Sequence, residues 1–160
     1  MDKIGIKTTP SDIELTYFYK GIILFYEATK SDVGKTYWLP DEQLQAVLAY
    51  CDLSIDWIKQ SEKLSFPNGY KKEAVQFILL KRTNNENNVP IMVLFLKHLR
   101  NCFAHGRFSK TEIDGKTYFC FEDKYDNGNL SMVAQIPLIR FYLIIEGVKD
   151  TINKSRNNII

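Results

Sequence analysis

The sequence predicts a mainly α protein, an antiparallel bundle of about five helices with a small β meander set between the fourth helix and the last. Two patterns carry that expectation. Apolar residues return at helical spacing through the first four segments and again after Pro137, whereas residues 108–136 switch to alternation. No internal repeat or linker-like stretch divides the 160 residues, so a single domain is expected over 1–160, with the β insertion at about 108–136.

Ser11 or Asp12 can cap a first helix running to about Thr29, which brings Ile13, Tyr17, Phe18, Ile22, Phe25 and Tyr26 repeatedly to one side. A loop with Gly34 and Pro40 follows. Asp41 then opens a second helix to about Lys63, with Leu44, Val47, Leu48, Cys51, Ile55 and Ile58 as its stripe. Pro67-Asn68-Gly69 breaks the chain, and Tyr70 to Arg82 reads as a third helix with Ala74, Phe77, Ile78 and Leu79 inward. The polar run from Thr83 to Asn88 is a solvent loop.

Asn88 can cap the fourth helix, Pro90 is tolerated in its first turn, and Gly106 offers a left-handed stop after His105. Such a helix spans roughly 24 Å. Beyond it, Thr117, Phe119 and Phe121 point one way and Tyr118, Cys120 and Glu122 the other, with turns at Asp114-Gly115 and Asp126-Asn127-Gly128. Pro137 opens the last helix through Leu138, Phe141, Tyr142, Ile145 and Val148, with fraying expected from Asn153 onward.

Composition narrows the function classes. Hydrophobic residues make up 45% and charged residues 25%, ordinary proportions for a chain that buries a core. Twenty-one Lys and Arg against nineteen Asp and Glu leave a formal charge of +2, too small for a global nucleic-acid or membrane signal. Any polyanion site must be local. Cys51, Cys102 and Cys120 are widely spaced and odd in number, which argues for reduced thiols over a disulfide framework or a zinc ribbon. The amino terminus lacks a signal-peptide core and the apolar run Val89 to Leu96 is under half a membrane span, so a cytoplasmic protein without membrane association is expected. Asn153-Lys154-Ser155 is then a chance glycosylation match.

The fourth helix is apolar nearly all round from Ile91 to Leu96, and polar beyond. Measured from Asn101 at 100° per residue, Lys97 falls at about −40°, His98 at about 60° and His105 at about 40°, opposite Leu99 and Phe103. Polar groups therefore gather at one end of a core helix.

Arg100-Asn101-Cys102-Phe103-Ala104-His105 resembles the Arg-x4-His signature of the HEPN superfamily, in which Asn commonly follows the Arg. Gly106-Arg107-Phe108 is similar to prokaryotic members of that family, and the motif lies towards the end of a central helix, where the family carries it. The resemblance rests on these residues and on helix order. It implies an α-helical bundle and a metal-independent, RNA-cleaving ribonuclease that acts as a homodimer, often in toxin–antitoxin, abortive-infection or antiphage systems with an antitoxin as partner. Some members instead bind RNA, a nucleotide or a protein without catalysis. By the motif, Arg100 and His105 take the catalytic pair and Asn101 the supporting position, while Cys102, Phe103 and Ala104 inherit no role.

The residue types suit that chemistry. RNA carries its own nucleophile, the 2′-hydroxyl, so an enzyme must move a proton, align the phosphate and stabilise charge on its oxygens. His105 can exchange a proton near neutral pH, Arg100 offers a planar fork for phosphate oxygens, and Asn101, four residues earlier on the same face, can orient the imidazole. No metal and no cofactor are required. Arg100 and His105 are about 140° apart around the helix, which suits a composite site built with a facing copy. Lys97, His98, Arg107 and Lys110 are candidate RNA contacts.

Other readings compete for the same residues. A His before Gly at a helix end, with Arg in the last turns, also serves the helix dipole. His98, Cys102 and His105 share one side at i, i+4 and i+7, a weak zinc spacing without further ligands, so no metal is assigned; His98 reads first as a surface or interface residue. Gly34-Lys35-Thr36 lacks the earlier glycine of a phosphate-binding loop.

Overall fold

A six-stranded mixed sheet organises the molecule, which corrects the expectation of a helical bundle. The computed structural model describes residues 6–29, 41–50, 55–58, 76–81, 83, 86, 89 and 91–157. Their order is β1 (Ile6–Thr8), α1 (Asp12–Phe18), a π turn (Tyr19–Ile23), α2 (Leu24–Thr29), α3 (Asp41–Tyr50), β2 (Ile55–Ile58), β3 (Phe77–Lys81), α4 (Ile91–Ala104), β4 (Phe108–Ile113), β5 (Lys116–Lys124), β6 (Leu130–Pro137) and α5 (Leu138–Asn157). The strands lie side by side as β1-β4-β5-β6-β3-β2, with β2 and β3 parallel and every other pair antiparallel.

Parts of two expected helices are strands: the second is helical over Asp41–Tyr50 but extended at Ile55–Ile58, and the third is extended over Phe77–Lys81. Ile55 and Ile58 stand in β2 beyond the end of α3, and Phe77, Ile78 and Leu79 stand in β3. The physical reason is visible in β3, where all five residues are buried. A strand covered on both faces shows a continuous apolar run, and periodicity alone does not separate such a run from a buried helical turn. Residues 108–136 are likewise no appended meander: β5 and β6 are the middle of the sheet. Cys51, Gly34-Lys35-Thr36, Pro67-Asn68-Gly69, Ala74, Asn88, Pro90 and the tail after Asn157 lie outside the described residues.

The first helix begins as its sequence indicates. The Ser11 hydroxyl accepts from the Glu14 backbone N–H and the Glu14 carboxylate accepts from the Ser11 N–H, a reciprocal capping box. Phe18 and Ile22 turn inward, whereas Ile13, expected on the apolar side, is 83% exposed. Phe18 stacks on Phe103 of α4 with ring centroids 4.3 Å apart and meets Phe108, Phe119 and Phe141 edge-on. Edge-to-face and offset contacts of this kind add to the area that the rings bury.

The main core lies between one face of the sheet and the helices. Phe119 and Phe121 of β5 and Met132, Ala134 and Ile136 of β6 meet Leu94, Phe95, Leu99 and Cys102 of α4, Leu48 of α3, and Phe141, Ile144, Ile145 and Val148 of α5. α3 and α5 approach so closely that a Cβ on Gly147 would sit 2.9 Å from a Val47 methyl. Ile113, Tyr118 and Cys120 form a smaller cluster on the alternate side chains of β4 and β5, hence on the other face of the sheet. Among the described residues, no helix is long and apolar enough to cross a membrane.

Candidate functional site

α4 ends as Gly106 requires. Gly106 adopts φ 65°, its N–H reaches the Phe103 carbonyl at 3.4 Å, and the Arg107 N–H reaches the Cys102 carbonyl at 2.8 Å. This is a Schellman stop, which makes His105 the C-cap just past Ala104 and sends Arg107 into the sheet, where its carbonyl accepts from the Glu122 N–H at 3.0 Å. His105 is exposed there. Its backbone N–H closes the final turn on the Asn101 carbonyl at 3.0 Å.

One turn and a half earlier, the polar side chains are held in a chain of contacts. Arg100 donates from Nε to Glu27 Oε1 at 2.9 Å and from Nη1 to Asn101 Oδ1 at 3.1 Å. Asn101 donates in turn from Nδ2 to Asp123 Oδ2 at 3.2 Å, and the same oxygen lies 2.7 Å from His98 Nδ1. Asp123 Oδ1 accepts from the Lys124 backbone N–H at 2.9 Å. Arg100 and Glu27 each keep about a third of their side-chain surface, whereas His98 and Asp123 are almost wholly buried.

The electrostatics follow from those partners. Burial alone would raise the Asp123 carboxyl, but the His98 hydrogen bond and charge, the Asn101 amide and the Lys124 N–H together hold it below the usual aspartate range. Burial, reinforced by the Asp123 charge, pushes the Cys102 thiol far up. Its Sγ donates to the Glu122 carbonyl at 3.1 Å, so Cys102 is a neutral core group rather than a nucleophile or metal ligand.

The structure sorts the predicted site residues. Arg100 and Asn101 touch each other, but Asn101 is turned to Asp123 instead of to the His105 imidazole. His98 is 5% exposed, which corrects the expected surface or interface position, and its Nε2 is sealed without a hydrogen-bond partner. Lys97 pairs with Glu86 at 3.2 Å, and Lys110 pairs with Glu14 at 2.8 Å. Both lysines therefore brace local structure. Arg107 lines a pocket of about 230 Å³ with Lys7, Gly106, Phe108, Ser109, Cys120 and Glu122, immediately after His105. His98, Cys102 and His105 do not converge, and no group of three His, Cys, Asp or Glu side chains among the described residues is placed to hold a metal.

Sequence reasoning missed Asp123 and Glu27. Asp123 had a signal: in β5 it shares parity with Phe119 and Phe121, so an acidic residue occupies a position of the core-facing row. Glu27 is one carboxylate among many on a helix and had none. No protein-family model matches the chain, and neither a curated protein nor a solved structure matches it.

Proposed function

We propose that the end of α4 is an RNA-cleaving site of the HEPN kind, with His105 as the proton-transfer group, Arg100 as the phosphate ligand and Asn101 as the residue that positions Arg100. The observation that carries this reading is the contrast between the two motif residues. The Arg100 guanidinium is fixed by Asn101 and Glu27 while a third of the side chain stays open, and His105 stands exposed about 7.5 Å further along the helix axis. A rigid cation and an accessible imidazole are what phosphodiester cleavage by the 2′-hydroxyl asks of a protein. Lys7 and Arg107 at the adjoining pocket supply local positive charge in a chain whose net charge supplies little.

Because the two motif side chains leave the helix in different directions, the reading includes a homodimer in which one copy's Arg100 and the other's His105 serve one phosphate. The biological setting that goes with it is a toxin–antitoxin or antiphage system. Incubation of the purified protein with RNA in EDTA tests the activity: cleavage is expected from the native chain and is expected to vanish in His105→Ala and in Arg100→Ala. Cleavage that persists in either variant assigns the activity elsewhere.

One observation favours a second reading, a binding module without catalysis. The Glu27 carboxylate already occupies the Arg100 Nε–H, so a phosphate must compete for the guanidinium. Retained RNA binding with intact RNA in the same assay would select that reading.

A further inference from the structure

Buried charges are normally paired, because an unpaired ion loses its hydration without compensation. Among the buried ionisable side chains described here, Glu14 has Lys110, and Asp123 has His98 and Asn101. Lys81, at the end of β3, is the exception. It is only 6% exposed and no described residue forms an ion pair or hydrogen bond with it, yet its Nζ is not sealed, so the ammonium reaches solvent at the end of a buried stem.

Lys81 also lines a pocket of about 460 Å³, together with Thr83, Tyr125, Asp126, Asn127 and Asn129. The size is that of a small-molecule site. Its walls are ordered turns. The Tyr125 N–H bonds to the Asn129 carbonyl at 2.9 Å, the Gly128 N–H bonds to the Tyr125 carbonyl at 2.9 Å, and Asn127 Oδ1 accepts from the Asn129 N–H at 2.9 Å. That last contact commits the Asn127 oxygen and leaves its NH2 group as a donor. The nearby Glu86 is occupied by Thr83 and Lys97, and burial, together with the charges of Glu86 and Asp123, raises the Tyr125 phenol and keeps it protonated.

We propose that this pocket binds a phosphate group, with the Lys81 ammonium as its counter-charge and the side-chain amides of Asn127 and Asn129 as further donors. A compact ammonium with neutral N–H groups around it suits a tetrahedral oxyanion with several acceptor oxygens. Asp126 is exposed at the rim, where water and salt screen its repulsion. The phosphate can belong to a small phosphorylated molecule or to an RNA backbone. The site is separate from the α4 motif and does not depend on RNA cleavage.

Thermal unfolding of the full chain with millimolar inorganic phosphate, against chloride at equal ionic strength, tests the proposal. The native chain is expected to melt higher in phosphate. Lys81→Met is expected to melt no lower than the native chain without phosphate, since Met keeps the apolar stem and removes only an ammonium that has no protein partner, and to lose at least about tenfold in phosphate affinity. Asn129→Ala, on an exposed turn, is expected to weaken phosphate about threefold without affecting the fold. Adenosine monophosphate and an oligoribonucleotide with hydroxyl ends separate the two sources: a shift with the first alone indicates a small ligand, and a shift with the second indicates backbone phosphodiesters. A native chain insensitive to phosphate, the mononucleotide and the oligoribonucleotide would overturn the proposal, as would a Lys81→Met variant that responds like the native chain or melts well below it.

Discussion

Asp123 Oδ2 lies 2.7 Å from His98 Nδ1, and through this contact the middle of the sheet grips the helix that carries the Arg-x4-His segment. The same carboxylate oxygen orients the Asn101 amide, whose oxygen faces Arg100. Replacing Asp123 by Ala leaves the buried His98 without its acceptor and also removes the acceptor of the half-buried Asn101 amide and of the Lys124 N–H. The expected loss is about 3–5 kcal/mol, read from urea unfolding at neutral pH.

The pH dependence has a definite sign. Asp123 is held below its unfolded value of 3.8, so its contribution is fully present at neutral pH and is lost as the pH falls from 3.8 through the lower folded value. Glu14 and Glu86 are lowered too: burial opposes ionisation in each, but Lys110 and Ser11 outweigh it for Glu14, as Thr83 and Lys97 do for Glu86. Acid titration of unfolding should therefore show a shallower loss in Asp123→Asn than in the native chain, with a residual slope from the two glutamates.

Glu27 competes with any phosphate for Arg100. Glu27→Gln keeps the shape and removes the charge, so RNA affinity measured by fluorescence anisotropy at low salt is expected to tighten by about two- to fivefold. An unchanged affinity would mean that RNA does not meet the Arg100 guanidinium.

The approach of α5 to α3 leaves no room at Gly147. Gly147→Ala would press a methyl to 2.9 Å from the branched Val47 side chain, which has no flexible end to move aside. A loss of about 1–3 kcal/mol is expected in chemical unfolding, despite the better helix propensity of alanine. The double variant with Val47→Ala should recover part of it.

How much of this was legible depends on which residues carried the signal. The Ser11 cap, the Gly106 stop, the alternation through Phe119 and Phe121 and the start of α5 after Pro137 are local rules, and the structure follows them. Ile55 to Ile58 and Phe77 to Leu80 did not announce themselves as strands, because their partners are distant in sequence: β2 pairs with β3, and β3 with β6. At the site, Arg100 stands on α4 and His105 at its C-cap, while the contacts from other elements that fix Arg100 and Asn101 come from α2 and β5 respectively. Lys81 was read as part of a helix, and its isolation emerges only once β3 enters the sheet.

The central functional claim is that two copies of α4 share one reaction centre. Mixing inactive Arg100→Ala with inactive His105→Ala tests it directly, since a mixed dimer contains one site with both native groups. RNA cleavage restored on mixing is the expected result. An active native protein whose two variants stay inactive together, despite demonstrated subunit exchange, would contradict the shared site.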